Sequence, residues 1–134
     1  MFTYKDKVNS DAEKRSLEDW LEITKDWTDP YDTPSVVSYD GIQVVRDDLI
    51  AGTKARAADF LFQNVDAKTV VYVQPREGAA GVSLIAAAQN HNKRVKLFMP
   101  SSKKMSETQA ITIERGADYA VSYTHLTLPT IYSV

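Results

Sequence analysis

The sequence predicts an α/β fold in which a parallel sheet is flanked by helices in three layers. Two short apolar runs, Thr69–Val73 and Arg94–Met99, alternate with helical segments between Lys54 and Arg115. Strands that alternate with helices along a chain form parallel sheets through right-handed crossovers. The chain has 134 residues, of which 43% are hydrophobic, and this is enough for one domain with its own core.

The composition excludes several classes of protein. The chain carries 16 basic and 18 acidic residues, so its net charge of -2 gives no electrostatic case for a nucleic-acid partner or an anionic membrane. It has no cysteine, which excludes a disulfide framework, a thiolate zinc site and a cysteine nucleophile, and we expect no metal. No apolar run approaches the ~20 residues of a membrane span. The charged N-terminus lacks a signal-peptide pattern, so we expect a cytoplasmic protein.

The first 30 residues predict a helical region. Residues 10–27 have an amphipathic pattern in which Ser10 and Glu13 fit a capping box. Pro30 ends this helix, because the residue before a proline is disfavoured in the α conformation. The apolar positions that recur near helical spacing, and that we expect to pack against another element, are Leu17, Trp20, Leu21 and Trp27.

A β-hairpin and a helix are predicted next. The runs Ser35–Tyr39 and Ile42–Arg46 flank Asp40-Gly41, and an Asp-Gly pair between β-rich runs is typical of a type I′ turn. Thr53 is a candidate cap for a helix from Lys54 to Asn64. The apolar residues available for burial on this helix are Ala57, Ala58, Leu61 and Phe62.

Two further helices complete the alternating pattern. An alanine-rich helix is predicted over residues 79–90, between the two predicted strands. Ser106 and Gln109 fit a second capping box, which opens a helix that runs to Arg115. Gly116 is a plausible residue for the left-handed position after the end of this helix.

The last 14 residues differ from the rest of the chain. Residues 121–134, VSYTHLTLPTIYSV, contain no charged side chain. Back-translated, VSYTHLTLPT can be written as the transposon-end adapter used to prepare sequencing libraries. We interpret this segment as a non-native tail behind an α/β region of residues 31–120. The alternative is a genuine C-terminal strand, which threonine, tyrosine and valine favour.

Two segments carry residues suited to chemistry. Lys54 lies in the first turn of a predicted helix, where the partial positive charge of the helix favours the neutral amine that Schiff-base formation requires. Gly78–Gly81 lies between a predicted strand and a helix, where small residues and free N–H groups can bind a carboxylate or phosphate. From position alone, a surface lysine is the favoured interpretation of Lys54, whereas a tight turn without a ligand is an equal alternative for Gly78–Gly81.

Together these segments resemble the N-terminal part of the fold-type II pyridoxal-phosphate enzymes, the tryptophan synthase β-like family, which includes cysteine synthase, threonine synthase and 1-aminocyclopropane-1-carboxylate deaminase. Gly52-Thr53-Lys54-Ala55-Arg56 resembles the segment that carries the family's Schiff-base lysine. Gly78-Ala79-Ala80-Gly81-Val82-Ser83-Leu84 resembles the loop that holds the substrate carboxylate and touches the cofactor. The accompanying signposts are Thr33-Pro34, Arg46-Asp47-Asp48-Leu49, Met99-Pro100, Met105-Ser106 and Arg115-Gly116-Ala117.

The resemblance implies a pyridoxal 5'-phosphate-dependent lyase, deaminase or β-replacement enzyme that acts on a small amino acid. Lys54 is then the catalytic and cofactor-binding lysine, and Gly78, Ala79, Ala80 and Gly81 bind the substrate, with Ala79 also at the cofactor. The chain departs from the family in having Ala79 where the family has asparagine, and Glu77 beside the carboxylate site. The family's phosphate loop lies further along the chain than these residues, so we expect this fragment to be inactive and the full-length form to be a candidate homodimer.

Two alternatives stay open. The chain could be a degenerate homologue that keeps the fold without the cofactor and serves as a binding module, which Ala79 and Glu77 favour. It could also be a generic Rossmann-like nucleotide-binding domain. The spacing of its glycines matches neither the dinucleotide-binding fingerprint nor the P-loop, which counts against that interpretation.

Overall fold

The structure is a computed structural model that describes residues 15–31 and 33–122, together with the backbone of residues 131–133. Ser10 and Glu13 lie outside the described residues, as does most of the segment interpreted as an adapter-derived tail. The elements in chain order are helix α1 (Leu17–Ile23), strands β1 (Val36–Tyr39) and β2 (Ile42–Val45), a 3₁₀ turn (Asp47–Leu49), helix α2 (Lys54–Gln63), strand β3 (Thr69–Val73), helix α3 (Ala80–Asn90), strand β4 (Arg94–Pro100), helix α4 (Glu107–Glu114), and strands β5 (Asp118–Ser122) and β6 (Ile131–Ser133).

The main sheet has the strand order β5-β4-β3-β6. Strands β3, β4 and β5 are parallel, and β6 pairs antiparallel with β3. The α/β class and the parallel pairing predicted from the alternating pattern are therefore confirmed. Both crossovers step across the sheet in the same direction, so right-handed connections place α3 and α4 on the same face. Helix α2 packs in the same core cluster, so the three-layer arrangement predicted from the sequence is wrong for the described helices.

The core lies between that face of the sheet and the helices. Val70, Val95, Leu97 and Met99 project from β3 and β4 toward the helices and are almost fully buried. They pack in one cluster with Ala58 and Phe62 of α2 and with Leu84, Ile85, Ala87 and Ala88 of α3. None of the helices in the described ranges is long and apolar enough to cross a bilayer.

Helix α1 is shorter than the predicted helix over residues 10–27. Its cap is Ser16, whose side chain accepts from the backbone N–H of Asp19, while Asp19 accepts from the backbone of Ser16. The helix ends at Ile23, and the Thr24 hydroxyl donates to the Trp20 carbonyl.

The predicted packing of the apolar stripe is wrong for the residues within α1 and is confirmed for Trp27 alone. Leu17 is 70% exposed and Leu21 61% exposed, and α1 has no buried residue. Trp27 follows the end of the helix, so it does not share a helical face with the other three residues. Its indole instead packs edge-on against Phe60 and donates to the buried carboxylate of Asp59.

The predicted hairpin is confirmed. Strands β1 and β2 pair antiparallel, with Val36 opposite Val45 and Tyr39 opposite Ile42. Asp40 and Gly41 both have positive φ, 46° and 80°, as a type I′ turn requires.

The capping box of α4 is confirmed, and so is the left-handed residue after its end. Ser106 accepts from the Gln109 amide, and the Gln109 side chain accepts from the Ser106 amide. Gly116 has a φ of 95°, and the amide of Ala117 donates to the carbonyl of Thr112 in a Schellman motif.

Replacing Ser106 with alanine is expected to lower the free energy of unfolding by about 1–2 kcal/mol, because it removes the cap and leaves the Gln109 amide without its acceptor. It also removes the hydrogen bond from the Ser106 hydroxyl to the Arg76 carbonyl. Urea unfolding followed by circular dichroism measures this loss. The matched control is Ser102→Ala, which removes a hydroxyl from an exposed loop. Equal destabilisation by the two substitutions would contradict the prediction.

Candidate functional site

Lys54 is the first residue of α2, and it is exposed. The predicted cap before it is wrong, since Thr53 has helical dihedral angles and its side chain caps no backbone amide. Backbone hydrogen bonds hold the loop before Lys54 instead. Gly52 donates to the carbonyl of Asp47, and Ala55 donates to the carbonyl of Gly52.

Arg56 forms a cluster of ion pairs with Asp47 and Asp29, and these pairs hold the loop that leads from Asp47 to Lys54. Asp47, in the 3₁₀ turn, is only 6% exposed and accepts from Arg56 Nη2 at 3.2 Å. Arg56, two residues after Lys54, also donates to Asp29 Oδ2 at 2.5 Å and lies over the ring of Tyr31. Burial raises the pKa of Tyr31, and the carboxylates of Asp59 and Asp29 raise it further. The cluster therefore ties α2 to the turn that precedes it and to the segment after α1.

The loop before Lys54 also rests on helix α3. The Ser83 hydroxyl donates to the carbonyl of Ala51 at 2.5 Å. A Cβ on Gly52 would lie 3.1 Å from the same hydroxyl oxygen, and Gly52 has a φ of 87°, so a glycine suits this close approach. The structure thus brings the Lys54 loop against the helix that follows Gly78, and Ser83 makes the contact.

The turn from Gly78 to Gly81 is held from inside by Gln74, a residue that the sequence analysis did not single out. Gln74 is fully buried, and its side chain donates to the carbonyl of Gly78 at 2.8 Å and accepts from the amide of Gly81 at 2.9 Å. The expected role of Gly81 as a free donor to a substrate carboxylate is therefore corrected. Its N–H is already bonded within the turn.

Gly81 is required for packing. A Cβ at this position would lie 2.5 Å from Gln74 Oε1 and 3.1 Å from Thr112 Cγ2. Ala79 and Ala80, at the start of α3, have no side-chain cap, and their amides have no acceptor among the described residues. The predicted anion-binding role therefore remains a prediction for these two amides and for Gly78.

The negative charge of Glu77, beside this turn, is partly balanced by a neighbouring arginine. The side chain of Glu77 is 77% exposed, and Arg76 Nε lies 3.3 Å from its Oε1. Arg76 also donates to the carbonyl of Lys104, which joins the turn to the loop after β4. The Glu77 carboxylate thus meets a cation in its own loop, and this reduces its repulsion of an anion bound nearby.

Lys54 and Ala80 line the same groove, which we call the Lys54 groove. It has a volume of about 390 Å³, within the range of roughly 300–1,000 Å³ for small-molecule sites. Its lining consists of Lys54, Ala57, Ala58, Leu61, Tyr72, Ala80 and Leu84. Tyr72 comes from β3, and burial raises the pKa of its hydroxyl. The sequence analysis missed Tyr72, because it lies within an apolar strand pattern without a motif.

The groove is almost wholly apolar, and within the described ranges it holds no acidic side chain. Lys54 and Tyr72 make no side-chain hydrogen bond or ion pair with any described residue, so both polar groups remain available to a ligand. Comparison with protein-family models, with curated proteins and with solved structures found no match to this chain.

Proposed function

We propose that this chain carries the lysine-bearing region of a fold-type II pyridoxal-phosphate enzyme that acts on a small amino acid. The observation that carries the proposal is the common groove. Lys54 and the Ala80 end of the glycine turn are 26 positions apart in the sequence and line one hollow. The motif order that resembles the family thus corresponds to a spatial arrangement in which an amine and a helix start can act on one ligand.

Among the described residues, Lys54 suits the aldehyde end of the cofactor. The exposed amine of Lys54 has no acidic partner among them, so it is free to bond to an aldehyde carbon. The unpaired amides of Ala79 and Ala80 suit the carboxylate of an amino acid. Bound at Lys54, pyridoxal phosphate would supply an electron sink for negative charge at the substrate Cα.

Groups of the protein would supply proton transfer and would orient the substrate. The Lys54 amine would accept the proton from the substrate Cα. The amides of Ala79 and Ala80 would orient the substrate carboxylate, and Ala57 and Leu84 would offer apolar walls to the substrate side chain. The reaction class is then elimination, replacement or deamination of a small amino acid.

A non-catalytic homologue is the second candidate, and Ala79 favours it. The family's asparagine bonds to the ring oxygen of the cofactor, whereas the methyl side chain of Ala79 has no group that can do so. Such a protein would keep the groove for binding and lack covalent chemistry at Lys54. A nucleotide-binding Rossmann-like domain has less support, because the turn at Gly78 lacks the dinucleotide fingerprint.

Covalent labelling of Lys54 tests the proposal. The protein is incubated with pyridoxal phosphate, reduced with borohydride and analysed by peptide mass spectrometry. We expect labelling of Lys54 to exceed labelling of the exposed Lys103 by at least about tenfold, since the groove would hold the aldehyde beside the Lys54 amine. Lys54→Ala should abolish the excess, and Lys103→Ala should leave it intact. Equal labelling of the two lysines would overturn the proposal and support the non-catalytic homologue.

A further inference from the structure

We infer that the Lys54 groove binds a monocarboxylate with an unbranched apolar tail, the carboxylate at Lys54 and the tail along α2. This inference is independent of pyridoxal phosphate, because it requires only the groove and its charge. The inference concerns the class of ligand that the Lys54 groove binds.

The charge of the groove selects the head group of the ligand. Of its seven lining residues, Lys54 alone is charged, and Tyr72 adds a hydroxyl that can donate a hydrogen bond. A ligand with a positive head would meet one ammonium and no carboxylate. A single negative charge is therefore the complement of this lining, and a carboxylate can accept from the Lys54 ammonium.

The walls of the groove select the tail. Ala57 and Leu61 lie four positions apart on α2, so they share one helix face and extend the groove by about one helical turn, ~6 Å, from the Lys54 end. Ala58 of α2 and the residues Ala80 and Leu84 of α3 also line the groove. A straight chain of several methylene groups fits this length, and each methylene buried there favours binding through the hydrophobic effect.

The rest of the polar surface leaves this groove as the best match for such a ligand. The half-buried Arg46 donates to Asp48 through Nε and Nη2, and Arg94 is paired with Asp118. Lys93 donates to the carbonyls of Val65 and Ala67. Lys54 differs from these cations because it combines a free ammonium with an adjoining apolar hollow.

Titration of the ¹⁵N-labelled protein with three small molecules tests the inference. Hexanoate has the proposed head and tail, hexylamine has the same tail with the opposite charge, and acetate has the head alone. We expect hexanoate to shift the amides of Ala57, Ala80 and Leu84 with a dissociation constant at least about tenfold lower than either of the others. Equal binding of hexylamine would reduce the groove to an unselective apolar patch, and equal binding of acetate would reduce it to an anion contact. Either result, or the absence of shifts, would overturn the inference.

Two variants locate the ligand in the groove. Ala57→Asp places a carboxylate on the exposed wall and should weaken hexanoate binding at least about tenfold, whereas Lys103→Met, at an exposed loop position, should leave it unchanged. Hexylamine should bind the Ala57→Asp variant more tightly than the unaltered protein, which a merely misfolded variant would not do. If hexanoate binds but pyridoxal phosphate does not label Lys54, only the proposed function fails. If Lys54 is labelled but hexanoate does not bind, only this inference fails.

Discussion

Replacing Gln74 with leucine is expected to lower the free energy of unfolding by about 3 kcal/mol. The two side chains are similar in size, so the packing volume changes little. The substitution leaves the buried amide of Gly81 without its acceptor and removes the donor to the carbonyl of Gly78. Each buried polar group left unsatisfied costs about 1–3 kcal/mol. Urea unfolding measures the loss, and faster hydrogen exchange at the Gly81 amide locates it.

The control for Gln74 is Gln89→Leu on the exposed surface of α3. No described residue bonds to the Gln89 side chain, so this substitution should change the free energy of unfolding by less than about 0.5 kcal/mol. Comparable destabilisation by both substitutions would show that the glycine turn does not depend on the buried amide. The expected contrast would identify Gln74 as the residue that shapes the turn at the candidate site.

Replacing Asp47 with alanine is expected to lower the free energy of unfolding by about 2 kcal/mol. The carboxylate is buried and accepts from Arg56, and a hydrogen bond to a charged group contributes about 1.5–3 kcal/mol. The loss also frees one end of the loop that leads to Lys54. We therefore expect a smaller excess of pyridoxal-phosphate labelling at Lys54 in the folded variant, measured by the same peptide mass spectrometry.

Asp48 supplies the matched control, because it neighbours Asp47 and is paired with Arg46 at the surface. Exposed ion pairs contribute little to stability, so Asp48→Ala should leave the unfolding midpoint nearly unchanged. Asp47→Asn keeps an acceptor for Arg56 and should recover part of the stability lost in Asp47→Ala. An Asp48→Ala variant as unstable as Asp47→Ala would refute the role assigned to the buried cluster.

The candidate site was predictable in part. The strand-to-helix turn at Gly78 and the helix start at Lys54 each follow from local sequence, and the structure confirms both elements. Their meeting in one groove depends on the packing of α2 against α3. Gln74 and Tyr72 carried no motif. Gln74 acquires its partners only when the following turn folds back over it, and Tyr72 lines the groove only once α2 and α3 pack on the sheet.

Long-range side-chain pairs were the least predictable part of the fold. The buried carboxylate of Asp59 receives hydrogen bonds from Trp27 and Asn90, and His91 Nε2 lies 3.0 Å from it. These partners are 31 or 32 positions away along the chain. They join the segment after α1 to the carboxyl end of α3, and no periodic pattern in the sequence relates the positions.

The sequence alone determined the order of elements from β1 to α4, the type I′ turn at Asp40-Gly41 and the capped ends of α4, because each depends on residues within a few positions of one another. Only the tertiary structure decided that Gly81 serves the packing of Gln74, that Asp47 secures the approach to Lys54 and that Lys54 opens on an apolar groove. Those features depend on which helix faces come into contact, and the burial of apolar surface over the whole domain determines that contact.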